Sequence, residues 1–131
     1  MYMLDTDICI YIIKRKPRSA LRRLESLRPG ELAMSAITFA ELMNGAKKSQ
    51  QVEANVAKLN ELAELIEIRP FDQKAAIFYG DVRSTLEKKG NIMGSNDLLI
   101  AAHALSLDWI LVTNNEKEFK RVDGLRIENW V

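Results

Sequence analysis

Met1-Tyr2-Met3-Leu4-Asp5-Thr6-Asp7-Ile8-Cys9-Ile10-Tyr11-Ile12-Ile13 opens the chain, and its reading decides the fold. Met1–Asp5 is apolar until it ends in the carboxylate of Asp5, the pattern of a short buried strand. Ile8–Ile13 is apolar nearly all round, so periodicity alone does not separate helix from strand. The turn-like Asp5-Thr6-Asp7, with Asp7 as a cap, favours a buried helix. A strand that feeds a helix through an acidic turn is the first half of a βαβ unit.

Working outward, the same alternation continues to the end of the chain. Pro17 opens a second helix, with Leu21, Leu24 and Leu27 at helical spacing and Pro29-Gly30 as its stop. Leu32–Ser35 reads as a second strand. Thr38 and Glu41 match a capping box at the start of a helix running to about Lys48. Val52, Val56, Leu59, Leu62 and Ala63 mark one face of a long helix. Ile66–Arg69 is a third strand. Asp72 caps a helix that reaches about Lys89 and stops at Gly90, and Ser95 caps another that buries Leu98, Leu99, Ala101, Ala102 and Leu105. Ile110–Val112 is a fourth strand, buried on both faces. Asn114-Asn115 turns into a short helix around Glu116–Phe119, and Arg126–Glu128 is a last edge strand. Strands alternating with helices predict a three-layer α/β domain with a mostly parallel central sheet flanked by helices, one domain over 1–131.

Composition narrows the class. The chain is 47% hydrophobic and 28% charged over 131 residues, ordinary for one globular domain. One cysteine, Cys9, excludes an intramolecular disulfide and suits a reducing compartment. No secretory signal and no membrane-length apolar run is visible, so a cytoplasmic location is expected. Net charge is +1, but residues 1–30 carry +4 and the remainder −3. A basic patch beside an acidic remainder suits a polyanion approaching a carboxylate site, and suits equally a solvated helix face.

Ligands of open parallel sheets bind beyond the carboxyl ends of the strands. Asp5 ends the first strand, Glu41 follows the second, Asp97 opens the helix before the fourth, and Asn114, Asn115 and Glu118 follow the fourth. Such a set repels itself unless a cation joins it. Its all-oxygen chemistry suits Mg²⁺ or Mn²⁺. His103 is the only histidine, so a multi-histidine metal site and any two-histidine acid–base mechanism are excluded. Metal-assisted phosphodiester hydrolysis needs neither. Each residue also has a plainer role: Glu41 in its capping box, Asp97 favoured by a helix dipole, Asp7 as a cap, Cys9, His103, Met34 and Met43 as core. Asp5 is the sharpest, because a carboxylate closing an apolar strand is costly without partners.

Four ordered motifs resemble those of PIN-domain ribonucleases of the VapC toxin type. They are Leu4-Asp5-Thr6-Asp7, then Thr38-Phe39-Ala40-Glu41-Leu42, then Asn96–Ala104, the most specific, and Leu111–Phe119. The tail, Val122–Trp130, resembles that group as well. The resemblance implies a parallel-sheet α/β domain that cuts RNA with Mg²⁺ or Mn²⁺. Asp5, Glu41 and Asp97 would be the catalytic acids. Asp5 and Asp97 would ligate metal directly, with Glu41 acting through water or as the base. Thr6, Asp7, Thr113 and Asn114 would support them. Asn115 stands where many members have Asp, so either Asn115 or Glu118 would complete the site. Asp7 stands where Asn is commoner.

The resemblance further implies a cognate VapB-like antitoxin whose tail blocks the acidic pocket, a homodimer, promoter DNA bound only through the antitoxin, and a tRNA substrate, with initiator tRNA the first choice. Two other readings stand beside it. One is a catalytically weak module that binds RNA or antitoxin. The other is an aspartate-dependent phosphatase built on Asp5-Thr6-Asp7, which lacks the downstream acidic pair that family requires.

Overall fold

The computed structural model describes residues 1–131. The elements in chain order are β1 (Tyr2–Leu4), α1 (Thr6–Lys14), α2 (Arg18–Glu25), β2 (Leu32–Ser35), α3 (Ala36–Lys47) and α4 (Val52–Leu65). They continue with β3 (Glu67–Arg69), α5 (Gln73–Lys88), α6 (Ser95–Leu107), β4 (Ile110–Val112), α7 (Glu116–Phe119) and β5 (Ile127–Glu128). The five strands form one sheet in the order β3-β2-β1-β4-β5, and all four pairings are parallel. The expected three-layer α/β architecture is present, and its sheet is wholly parallel.

Alternation along very short strands builds the two cores. Leu4, Leu32, Met34 and Val112 join Ile8, Ile12, Leu42, Leu59 and Leu62 on the face covered by α1 to α4. Met3 and Leu111 point the other way, against Leu86, Leu98, Ile100, Ala101 and Phe119 of α5, α6 and α7. Both faces of the central strands are therefore dry, which is why they read as continuous apolar runs rather than as alternating ones.

Three local expectations need correction. Leu27 lies beyond α2, which ends at Glu25. Helix α3 begins at Ala36 with Ser35 as its cap, so Thr38 caps nothing and sits buried inside the helix. Ser95 is the first residue of α6, and the cap position is Gly94, which makes no side-chain bond. Asp72 does cap α5 through the Ala75 N–H at 3.0 Å. Gly90 follows α5 in the left-handed region at φ 66°, where glycine carries no steric cost.

From β1 the chain builds outward to β2 and β3 on one side, whereas β4 and β5 lie on the other. The order reverses between β1 and β4, so their carboxyl ends frame the crevice in which ligands of such sheets bind.

Candidate functional site

Asp5 leaves β1 at that crevice and enters α1 directly. One residue separates strand from helix, so the carboxylate that closes β1 is also the N-cap of α1: its Oδ1 accepts the Ile8 N–H at 2.9 Å. The expected cap, Asp7, instead lies exposed in the first turn of the helix. Asp5 is only 3% exposed. Burial pushes its carboxyl up to about 6, opposed by hydrogen bonds from the Thr113 hydroxyl and the Ile8 N–H and reinforced by Asp7 and Glu41.

Ser35 ends β2 as Asp5 ends β1, and its Oγ accepts the Ile37 N–H at 3.1 Å. With the cap at Ser35, Glu41 lies well inside α3 and does not close a capping box. Its Oε1 accepts the Thr6 hydroxyl at 2.7 Å, tying α3 to the first residue of α1. Behind this layer His103 sets Nδ1 2.8 Å from the Ser35 Oγ and packs edge-on to Phe71. His103 and Cys9 are buried and stand outside the crevice, as structural residues.

Asp97 occupies the first turn of α6, half-buried. Its carboxyl is pushed up to about 7, first by burial, then by the charge of Glu118 and a hydrogen bond shared with it, then by Glu41 and Asp5. After β4, buried Thr113 accepts the Asn115 N–H on Oγ1 at 2.9 Å. The Asn115 amide donates to Glu118 Oε2 at 2.7 Å, and Glu118 Oε1 accepts the Gly94 N–H at 3.3 Å. Asn114 turns outward: it donates to the Tyr11 hydroxyl at 3.1 Å and accepts from Asn129.

A pocket of about 210 Å³ gathers Asp5, Thr6, Asp7, Glu41, Asp97 and Asn115 over the buried ring of Phe119. Of the residues expected at the site, Glu118 and Thr113 support this pocket from behind, and Asn114 leaves it. As the side chains stand, no three His, Cys, Asp or Glu residues are grouped so as to hold a metal ion. Sequence reasoning missed Ser35. Its signal was present, since a serine that ends a strand immediately before a helix is a ready cap.

Fold and pocket together define a parallel α/β domain with an acidic crevice at its topological switch point. The chain belongs to the PIN-domain family, which matches residues 2–125, and within that family to the VapC group. It is 47% identical to Ribonuclease VapC2 of Rickettsia felis over 99% of this chain and 98% of that protein. It is 43% identical to the tRNA(fMet)-specific endonuclease VapC of Shigella flexneri, over 98% of this chain and 97% of that one. Among solved structures it superposes on VapBC2 from Rickettsia felis bound to a promoter DNA fragment with a TM-score of 0.93, at 46% identity and 99% and 98% coverage. DNA-bound VapBC from Salmonella typhimurium gives a TM-score of 0.94, at 41% identity and 99% and 98% coverage. No helix is long and apolar enough to cross a membrane.

Proposed function

We propose that the chain is an endoribonuclease toxin, held silent by a cognate VapB-like antitoxin and dependent on Mg²⁺ or Mn²⁺. One observation carries the reading: Asp5, Glu41 and Asp97, delivered by three different segments, line one pocket at the switch point. Relatives named as VapC ribonucleases, and neighbours solved as VapBC complexes, support the nuclease and its partner. The same comparisons weigh against a phosphatase.

Asp5 and Asp97 are the residues that would hold the ion directly, with Glu41 reaching it through water. The donor set fits. It is all oxygen, it lines one pocket, and its two aspartates are raised in pKa by burial and by their acidic neighbours, a repulsion that a hard ion keeping part of its water shell would relieve. The bound ion supplies Lewis acidity toward water and phosphoryl oxygens. Asn115 and Glu118 divide the remaining work. Glu118 commits one oxygen to the Gly94 N–H and the other to the Asn115 amide, so it positions. Asn115 spends its side-chain amide nitrogen on Glu118, and its side-chain Oδ1 is the neutral donor that would complete the pocket. Glu41, oriented by Thr6, accepts the proton of the attacking water.

The substrate proposed is tRNA, with initiator tRNA first, on the strength of the relatives named for tRNA(fMet). The setting proposed is the cytoplasm, and the toxin forms a homodimer whose antitoxin complex reaches promoter DNA through the antitoxin. The test is induction from a tight promoter, with 5′ ends of cellular RNA mapped beside an Asp97→Asn control. New ends that require Asp97, and purified protein whose cutting stops in EDTA and returns with Mn²⁺, are expected. Identical ends from the control would show another nuclease at work. No ends, and intact RNA with purified protein and Mn²⁺, would leave a binding module as the better reading.

A further inference from the structure

Two further hollows open from the carboxylate pocket, and both share Thr6 and Glu41 with it. One, of about 430 Å³, runs between α3 and the start of α6 and carries Asn44, Lys48 and Asn96. The other, of about 480 Å³, lies among α1, α3 and α4; Ile10, Ile13, Leu42 and Leu59 give it an apolar lining, and it carries Lys14 and Lys58. Gly45 lines both and forms the saddle between them.

Gly45 lies inside α3, where glycine is the poorest helix former after proline. It has no packing reason to be glycine, because a Cβ there would meet nothing within 4 Å and its φ is not left-handed. A side chain at 45 would instead stand up into the open hollows. Close approach of something from outside the chain is what a bare backbone permits. Lys14, Lys48 and Lys58 are exposed around that saddle, and the ion pairs of the chain use none of them. Three free ammonium groups beside an acidic pocket fit a polyanion that must be held near carboxylates that would otherwise repel it. Asn44 and Asn96, both exposed on the α3–α6 side, offer amides of the kind that read a base edge.

We infer that single-stranded RNA enters the site across Gly45, with its backbone on Lys48 and the neighbouring lysines and one base facing Asn44 and Asn96. The inference rests on the ribonuclease reading and adds to it a path and a set of positioning residues. The α3–α6 hollow has room for a single nucleotide, and its position next to Glu41 puts that nucleotide directly beside the bond to be cut. Lys48 holds a phosphate as a point charge, whereas Gly45 contributes only by having no side chain.

The experiment measures binding of a labelled single-stranded oligonucleotide that spans the mapped cut site. It uses Asp97→Asn protein in Mn²⁺, so that RNA is held without being cut. Gly45→Leu is expected to raise Tm, as a better helix former, and to weaken RNA binding tenfold or more. Lys48→Ala is expected to weaken binding several-fold and to reduce the slope of log affinity against log salt by about 0.7, the value for one phosphate on a single strand. In otherwise unaltered protein both substitutions raise KM and leave kcat close to its starting value. Unchanged affinity and salt slope in both variants, with the parent binding and cutting normally, would overturn the inference alone. So would a Gly45→Leu protein that cuts RNA normally but escapes neutralisation by co-expressed antitoxin, because the saddle would then be a protein-docking surface. A parent that neither binds nor cuts RNA removes the ribonuclease reading and this path with it.

Discussion

Asp5→Asn should make the metal-free protein more stable while abolishing its activity. The amide keeps an oxygen for the Ile8 N–H, and Asn and Asp are equally good caps, so α1 loses little. What disappears is a charge in a site that is 3% exposed. A carboxyl held at about 6 rather than at its ordinary 3.8 binds its proton more tightly when folded than when unfolded. The sign follows from linkage. Between those two values the folded state carries more protons, so stability falls as pH rises, and above about 6 the full penalty is present. At about 1.36 kcal/mol per pKa unit the penalty at pH 8 is roughly 3 kcal/mol. For a chain of this length that is roughly 10 °C in Tm. Urea unfolding in EDTA at pH 8 should show Asp5→Asn more stable by that order, with the gap closing as pH falls from 6 toward 3.8. In saturating Mn²⁺ the order should narrow or reverse, because only the parent gains binding energy from the ion. A variant less stable than the parent at pH 8, by an amount indifferent to pH, would refute the reasoning: the Asp5 charge would then be stabilised by Thr113 and Ile8 more than it is penalised by burial.

Thr6→Val should remove the hydroxyl that holds Glu41 and lower kcat roughly tenfold or more, the scale of one hydrogen bond to a charged group; a Tm within a few degrees of the parent would show that the loss is one of positioning. His103 is 2% exposed and its pKa is lowered, first by burial, so the unfolded chain takes up a proton that the folded one refuses. That contribution to stability is therefore lost as pH falls from 7 through the ordinary histidine value, and His103→Asn, which keeps a polar atom near Ser35, should flatten the acid limb of the unfolding curve relative to the parent. Arg23 lies over the rings of Tyr2 and Trp130 and pairs with Glu128, so Arg23→Ala should cost about 1 to 2 kcal/mol in urea unfolding without changing the RNA ends produced, and Arg23→Lys should recover only part of it.

Fold was more legible in this sequence than fine structure was. Apolar runs such as Ile110–Val112, bounded by turn residues, carry their own boundaries, and the βα alternation leaves few topologies. Caps were less legible, for a physical reason. The β1–α1 and β2–α3 junctions are so tight that the cap is the one residue between strand and helix, Asp5, or the last strand residue itself, Ser35. A reading that looks for a cap after the strand therefore slips forward, to Asp7 in place of Asp5 and to Thr38 in place of Ser35. That slip also misplaced Glu41 in a capping box, although its actual partner, Thr6, is 35 residues away and no local pattern reports it. Asp5, Glu41, Asp97 and Asn115 were legible as a group because Asp5, Glu41 and Asn115 follow β1, β2 and β4, and Asp97 opens the helix that returns to β4. The outward turn of Asn114 and the tie between Glu118 and Gly94 depend on side-chain geometry and were not.

How three acids stay together in one pocket is then a question about the helices that carry them. Asp5 caps α1 and Asp97 lies in the first turn of α6, where backbone N–H groups and the helix dipole favour negative charge. Glu41 lies deeper in α3 and relies on the Thr6 hydroxyl instead. This support is enough to build the pocket and not enough to neutralise it, since Asp5 and Asp97 remain raised to about 6 and about 7. A site shaped for stability alone would answer such a field with one of the chain's 19 lysines and arginines. The ion pairs of the chain all lie elsewhere, on Arg23, Arg69, Arg83, Lys89 and Arg126. No lysine or arginine of the chain is ion-paired with these acids, and Lys14, Lys48 and Lys58 stand in the adjoining hollows. On the function proposed above, the field that remains is what Mg²⁺ or Mn²⁺ would use, so a cationic group of an inhibiting partner placed in the same pocket should compete with the ion.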